Sequence, residues 1–271
     1  VDVFWDHGWA GGEEISLRQL DRYDALVLFQ ATGSFSHLLC DVHKNITFVP
    51  MLDGYGITIG KILPRTYWQR FIGVKILNFS NTLHYIATEN ALVSQHYKYF
   101  PAPLHGLHQV PKGLHGFFWC RRPDDISWRQ VRSLIGDTQF DSFHLHLVPD
   151  PGQPEPVYPT EDEIVRHNIT ITTKWFADKN ELQKCQAKAN VFFAPRLEEG
   201  IGQAMLEAFS SGQCVVAPDA GTMNEYIVHG VNGLLYNPSD LKALSFEKVE
   251  LLGQWAREAA IAGHARWLAS E

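Results

Sequence analysis

Short apolar runs separated by longer amphipathic segments set the rhythm of this chain. Residues 24–29 (Asp-Ala-Leu-Val-Leu-Phe), 45–52 and 74–79 each read as one buried strand, and Asp53-Gly54 supplies a turn after the second. Helix-like segments lie between and after them, such as 89–97. Strands alternating with helices imply βαβ units and a parallel sheet. At Tyr99-Phe-Pro-Ala-Pro103 the rhythm breaks, and Gly and Pro recur through Gly116, which is linker composition. The alternation then restarts. Strands are expected at 116–120, 143–148, 169–173, 190–194 and 213–217, and helices at 127–135, 179–188, after Gly202 and from Phe246. A Pro-rich loop fills 149–159, and Asn232-Gly233 is a turn signal.

The fold class expected from this pattern is α/β, with two Rossmann-like domains facing a cleft. The boundaries are 1–105 and 106–271, with the final helix free to pack back on the first domain. The chain opens without Met, inside the strand-like run Val1-Asp-Val-Phe-Trp5. The first domain is therefore expected to be truncated by at least one strand.

Composition narrows the classes. The chain has 271 residues, 45% of them hydrophobic, enough to bury a sizeable core. Its formal net charge of -7, with no long basic run, argues against nucleic acid as a partner. Cys40, Cys120, Cys185 and Cys214 form no C-x-x-C and read as reduced, mostly buried thiols of a cytoplasmic protein. The triplets at Asn45, Asn78 and Asn168 lie in or beside strand-like runs, which disfavours glycosylation. No apolar run approaches the ~20 residues of a membrane span. Peripheral contact with the inner face of a membrane stays open.

The densest chemistry lies in Arg196-Leu-Glu-Glu-Gly-Ile-Gly-Gln-Ala-Met-Leu-Glu207-Ala-Phe-Ser-Ser-Gly212. It sits between two buried strands, so it is a turn leading into a helix. Gly200 and Gly202 keep the backbone bare where that helix begins, and Gly212 suits its far end. A bare helix N-terminus presents free N–H groups to phosphate or sugar hydroxyls. Glu199 stands at the mouth, and Glu207 is placed to accept hydrogen bonds from a ribose diol. The competing reading makes both glutamates solvated helix-face charges, but Glu207 lies within the apolar run Met205-Leu206-Glu207-Ala208-Phe209.

Glu199 to Glu207 resembles the E-x7-E motif of GT-B retaining glycosyltransferases, family 4 (group 1) in particular. The likeness extends through Asn190-Val-Phe-Phe-Ala-Pro195, Glu207-Ala-Phe-Ser-Ser-Gly-Gln-Cys-Val-Val-Ala217, Asp219-Ala-Gly-Thr-Met-Asn-Glu225 and His229-Gly-Val-Asn-Gly-Leu-Leu235. It is continuous over about 169–240 and weaker from Gly116. The resemblance implies transfer of a sugar from a nucleotide-diphosphate donor to an unknown acceptor (glycan, lipid or small molecule), without cofactor or metal. Glu199 would contact the transferred sugar and Glu207 the ribose. The amides of Gly200, Ile201 and Gly202 would meet the sugar and diphosphate.

Arg121 and Arg122 stand where the family places a basic diphosphate contact. The lysine that usually follows is missing, and Arg129 is the alternative. Lys174 would reach phosphate, and Trp175 either lines the base pocket or packs in the core. The family's histidine near the transferred sugar is also missing. Asp53 is the catalytic candidate in its place, with His84 the weaker one. His144 and His146 share one strand face, but two histidines make a poor metal site. Gly8, Gly11 and Gly12 form a glycine-rich loop of no recognised spacing. Two rival functions remain: a non-catalytic nucleotide- or sugar-binding relative, which the two missing residues favour, and a sugar-nucleotide epimerase of the same architecture.

Overall fold

A computed structural model describes residues 2–3, 16–30, 45–56, 62–103 and 112–270. The run at 1–5, Gly8, Gly11, Gly12 and Cys40 fall wholly or mostly outside them. The chain divides into two compact units, Val1–Tyr97 and Lys98–Glu271.

Among its described residues, unit 1 carries four parallel strands in spatial order β1 (Leu26–Phe29), β2 (Ile46–Val49), β3 (Lys75–Asn78) and β4 (Val93–His96). Helix α1 (Leu17–Leu20) precedes β1, while α2 (Arg65–Gln69) lies between β2 and β3 and α3 (Asn81–Glu89) between β3 and β4. Its core is aromatic: Phe48 of β2 stacks on Phe71 with ring centroids 4.7 Å apart, and Trp68 of α2 is buried beside them. The sequence reading of 89–97 as a helix is corrected here. The helix lies earlier, where Ser80 caps α3 and Leu83 and Ala87 face the core one turn apart. Asn90 ends it, Ala91 takes a left-handed φ of 58°, and the chain then pairs with β3, Val93 opposite Lys75. Pairing with a neighbouring strand overrode a weak local preference.

Among its described residues, unit 2 holds six parallel strands: β5 (His115–Trp119), β6 (Ser142–His146), β7 (Ile169–Thr172), β8 (Val191–Phe193), β9 (Cys214–Pro218) and β10 (Leu234–Tyr236). Their spatial order is β10-β9-β8-β5-β6-β7, so the winding reverses between β5 and β8. That is the doubly wound arrangement, whose ligands bind outside the carboxyl ends of the strands at the reversal. Helices α4 (Trp128–Ile135), α5 (Glu161–Arg166), α6 (Lys179–Gln186), α7 (Gln203–Ser210) and α8 (Val249–Ala269) cover the sheet. One layer buries Phe118, Trp128, Phe140, Phe143 and Phe193, and the other Phe117, Phe192, Leu206, Phe209 and Ala256. α4 starts where Gln130 reaches back to accept from the Ser127 amide at 3.0 Å.

The long helix α8 lies against α7 and β9 with a stripe of buried small residues: Gly253, Ala256, Ala260 and Gly263. A side chain at Gly253 would put its Cβ 2.1 Å from the Gly212 carbonyl oxygen, and one at Gly263 would enter the Phe100 ring. Cys120 and Cys214 are buried free thiols, both pushed up to about 12 by burial, while Cys185 is half-buried. Among the described residues no helix is long and apolar enough to cross a membrane.

Candidate functional site

The reversal of the sheet brings two loops side by side. Phe118 of β5 pairs with Phe193 of β8, so the residues after Trp119 and after Phe193 leave the same carboxyl edge. The β8 loop runs into α7 through Gly202, which caps the helix in the left-handed region (φ 76°) and offers no side chain to its first amides. Gly200 and Gly202 are buried, and Ile201 is half-buried. The loop is held from β9's side. The buried hydroxyl of Thr222 donates to the Glu199 carbonyl at 2.6 Å and lies 3.2 Å from that of Gly200. Arg196 and Glu199 form an ion pair at 3.5 Å, each side chain no more than 20% exposed.

Glu207 lies on the first turns of α7, between the buried Leu206 and Ala208. Its side chain is only 18% exposed, so the solvated-face reading does not describe it. Lys179, the first residue of α6, meets Glu207 Oε1 at 2.6 Å, and Gln203 Nε2 approaches the same oxygen at 3.4 Å.

After β5 the chain places Arg121 against two groups. Its Nε and a terminal nitrogen each lie 2.9 Å from Asp150 Oδ1, and its guanidinium lies over the Trp119 ring, 5.0 Å from the centroid. Trp119 is fixed in turn, because its indole N–H donates to the Val148 carbonyl at 2.7 Å. The edge of Trp175 meets Trp119 with centroids 5.4 Å apart. Trp175 is 56% exposed, so the core-packing alternative for it is excluded, and Lys174 beside it is exposed too.

Beneath this aromatic pair, His146 is fully buried against Trp119 and stacked on Phe176 at 4.3 Å. Its Nδ1 and the Nε2 of His144 share the Thr172 hydroxyl, at 2.7 and 3.0 Å. Burial, and His144 alongside, push the His146 imidazole down to about 4. It is neutral at physiological pH and serves as packing for Trp119.

The structure thus gathers two groups at one edge: Arg121 with Trp119 and Trp175, and Glu199 through Gly202 with Glu207. Arg122 turns back to pair with Asp125 at 3.2 Å, three residues on. Arg129 is exposed on α4. Asp53 belongs to unit 1, in the one-turn 3-10 segment Leu52–Gly54. His84, also in unit 1, bonds the Ser94 hydroxyl at 2.9 Å. Sequence reasoning missed Trp119, Asp150, Lys179, Arg196 and Thr222. Trp119 left a local signal, as an aromatic at the end of a buried strand just before the two arginines, and Arg196 another, three residues before the glutamate it pairs with.

Comparison with known proteins bears on the same region. Residues 126–254 match the family described as Glycosyl transferases group 1. The chain is 28% identical over 102 residues to an uncharacterized glycosyltransferase of Methanocaldococcus jannaschii, covering 38% of this chain and 26% of that protein. It is 36% identical over 91 residues to a sulfoquinovosyl transferase of Arabidopsis thaliana, covering 29% of this chain and 18% of that protein. The chain therefore spans about a quarter of the first relative and less of the second. Among solved structures, Anabaena HepE in complex with UDP and glucose superposes with a TM-score of 0.63 at 13% identity, over 94% of this chain and 80% of that one. At that identity the likeness is one of fold: the α/β architecture of two Rossmann-like domains found in GT-B glycosyltransferases.

Proposed function

From the group 1 match of residues 126–254 as premise, we propose that the protein transfers a sugar from a nucleotide-diphosphate donor to an acceptor, with retention of configuration. Unit 2 is the donor half. The observation that carries this reading is the position of Glu207: a mostly buried carboxylate on α7, just behind a glycine-capped N-terminus, at the carboxyl edge where the sheet reverses. A UDP-bound structure of the same fold supports a nucleotide partner.

In this reading Glu207 accepts from the ribose diol, and Trp175 with Lys174 flanks the base and phosphate. The amides of Gly200, Ile201 and Gly202 meet the sugar and diphosphate, and Glu199 contacts the sugar. Arg121 arrives already oriented by Asp150 and Trp119, so little side-chain entropy is lost when it meets phosphate. Asp150 and Asp125 neutralise part of the arginine charge, which leaves the α7 N-terminus a larger share of the stabilisation.

The chemistry asks little of side chains as acids or bases. The bond from the sugar's anomeric carbon to the diphosphate breaks while a bond to the acceptor oxygen forms on the same face. The acceptor proton passes to the leaving phosphate oxygen. Fixed cations and backbone amides oppose the charge that develops there, so no metal is required. Asp53 is assigned to the acceptor side.

A thermal-shift panel of UDP-, GDP-, ADP- and dTDP-sugars tests the donor class, since a ligand at ~100 Kd adds about 2.7 kcal/mol to stability. Glu207→Ala should then weaken the winning nucleotide by about 1.5–3 kcal/mol, the worth of hydrogen bonds to a charged group. Equal affinity in both proteins removes Glu207 from the site.

A further inference from the structure

We propose that Lys179 is a positioning residue for the Glu207 carboxylate. It fixes one oxygen so that the other is presented to the ribose, and it ties the β7–α6 connection to α7. The proposal rests on the donor-site reading of Glu207 given above.

Three observations carry it. The first is the division of the carboxylate. Lys179 Nζ at 2.6 Å and Gln203 Nε2 at 3.4 Å both fall on Oε1. With both donors on Oε1, the lone pairs of Oε2 are the ones to present to a diol. The second is the cost of the lysine's place. It is the first residue of α6, where the helix dipole disfavours a cation. A carboxylate 2.6 Å away offsets that penalty, and a mostly buried carboxylate likewise needs a cation nearby. The third is the rigidity of the lysine's backbone. Asp178 caps α6 by accepting from the Glu181 amide at 2.9 Å, and Glu181 accepts from the Ala177 amide at 2.7 Å. The same connection carries Lys174 and Trp175 out of β7. One ion pair thus couples the segment assigned to the base with the carboxylate assigned to the ribose.

A purely structural ion pair would affect every nucleotide alike, whereas a positioning residue affects most the nucleotide that keeps both hydroxyls of the diol. UDP and 2′-deoxy-UDP are therefore titrated calorimetrically into the native protein and into Lys179→Met, Lys179→Arg and Glu207→Gln. The native protein should prefer UDP. Lys179→Met should shrink that preference about two- to fivefold, the range of a partly exposed ion pair, by weakening UDP more than 2′-deoxy-UDP, which keeps one hydroxyl of the diol. Lys179→Arg should keep the preference, because a cation still reaches Oε1.

If Lys179→Met weakens both nucleotides by the same factor, or neither, the positioning role is overturned. The underlying reading fails separately, if the native protein does not discriminate or if Glu207→Gln discriminates as well as native. Should UDP not bind, GDP and ADP with their 2′-deoxy partners are titrated in the same way. Failure of all three pairs to bind overturns both ideas.

Discussion

Gly202 is where the backbone demands of the site can be measured directly. It caps α7 at φ 76°, a conformation an L-residue with a Cβ adopts at a cost of roughly 1–2 kcal/mol. Space adds little. An alanine Cβ would meet the Met205 methyl at 3.2 Å, the far end of a flexible side chain, and Glu199 Cβ at 3.8 Å. No hydrogen bond is removed. Gly202→Ala should therefore destabilise unit 2 by about 1–2 kcal/mol, nearly all of it conformational. At about 2–4 °C per kcal/mol for a domain of this size, the melting temperature should fall by roughly 2–8 °C. Gly202→Asn is the control, because asparagine tolerates the left-handed region better than alanine, and it should recover a substantial part of the loss. Urea titration followed by tryptophan fluorescence gives both values, with Trp119 and Trp128 reporting from unit 2. An alanine variant as stable as native, or an asparagine variant no better than alanine, would refute the argument that the left-handed cap sets the cost.

Three further outcomes follow from the same geometry. Gly253→Ala should cost more than about 3 kcal/mol, or displace α8, because its Cβ would lie 2.1 Å from a backbone oxygen that cannot yield; differential scanning calorimetry showing a native-like transition would contradict the packing described. His146 is held at about 4, below its free value of ~6.5. The unfolded chain binds its proton first, so stability is complete above ~6.5 and falls by about 3 kcal/mol as pH drops to 4. Urea midpoints across that range should show the slope, and His146→Gln should reduce it to what His144 and His167, also pushed down by burial, contribute in the same direction. Replacing Arg121 and Arg122 together by Met should weaken UDP far more than uridine, and activity should survive EDTA. Equal losses for the two ligands would make the arginines structural, and metal dependence would overturn the metal-free chemistry.

Much of unit 2 was legible from the chain alone. Its strands are apolar runs with one reading, since a segment such as Val191–Phe193 with every side chain buried leaves no polar face to orient otherwise. The glycines at 200 and 202 announced a bare helix start, and the left-handed φ of 76° at Gly202 is the backbone freedom that start uses. The segment 89–97 was misread because its few apolar positions fit either period, and only pairing with β3 decided between them. The partners of the charged residues were beyond reach for a related reason. Asp150 meets Arg121 across 29 positions and Lys179 meets Glu207 across 28, and no local spacing encodes such contacts. Residue types and periodicity determined that a glycine-bared helix start would stand at the carboxyl edge of a parallel sheet. The folding of distant loops onto one edge decided which lysine, which aspartate and which tryptophan hold it in shape, because those choices depend on strand order rather than on neighbours in sequence.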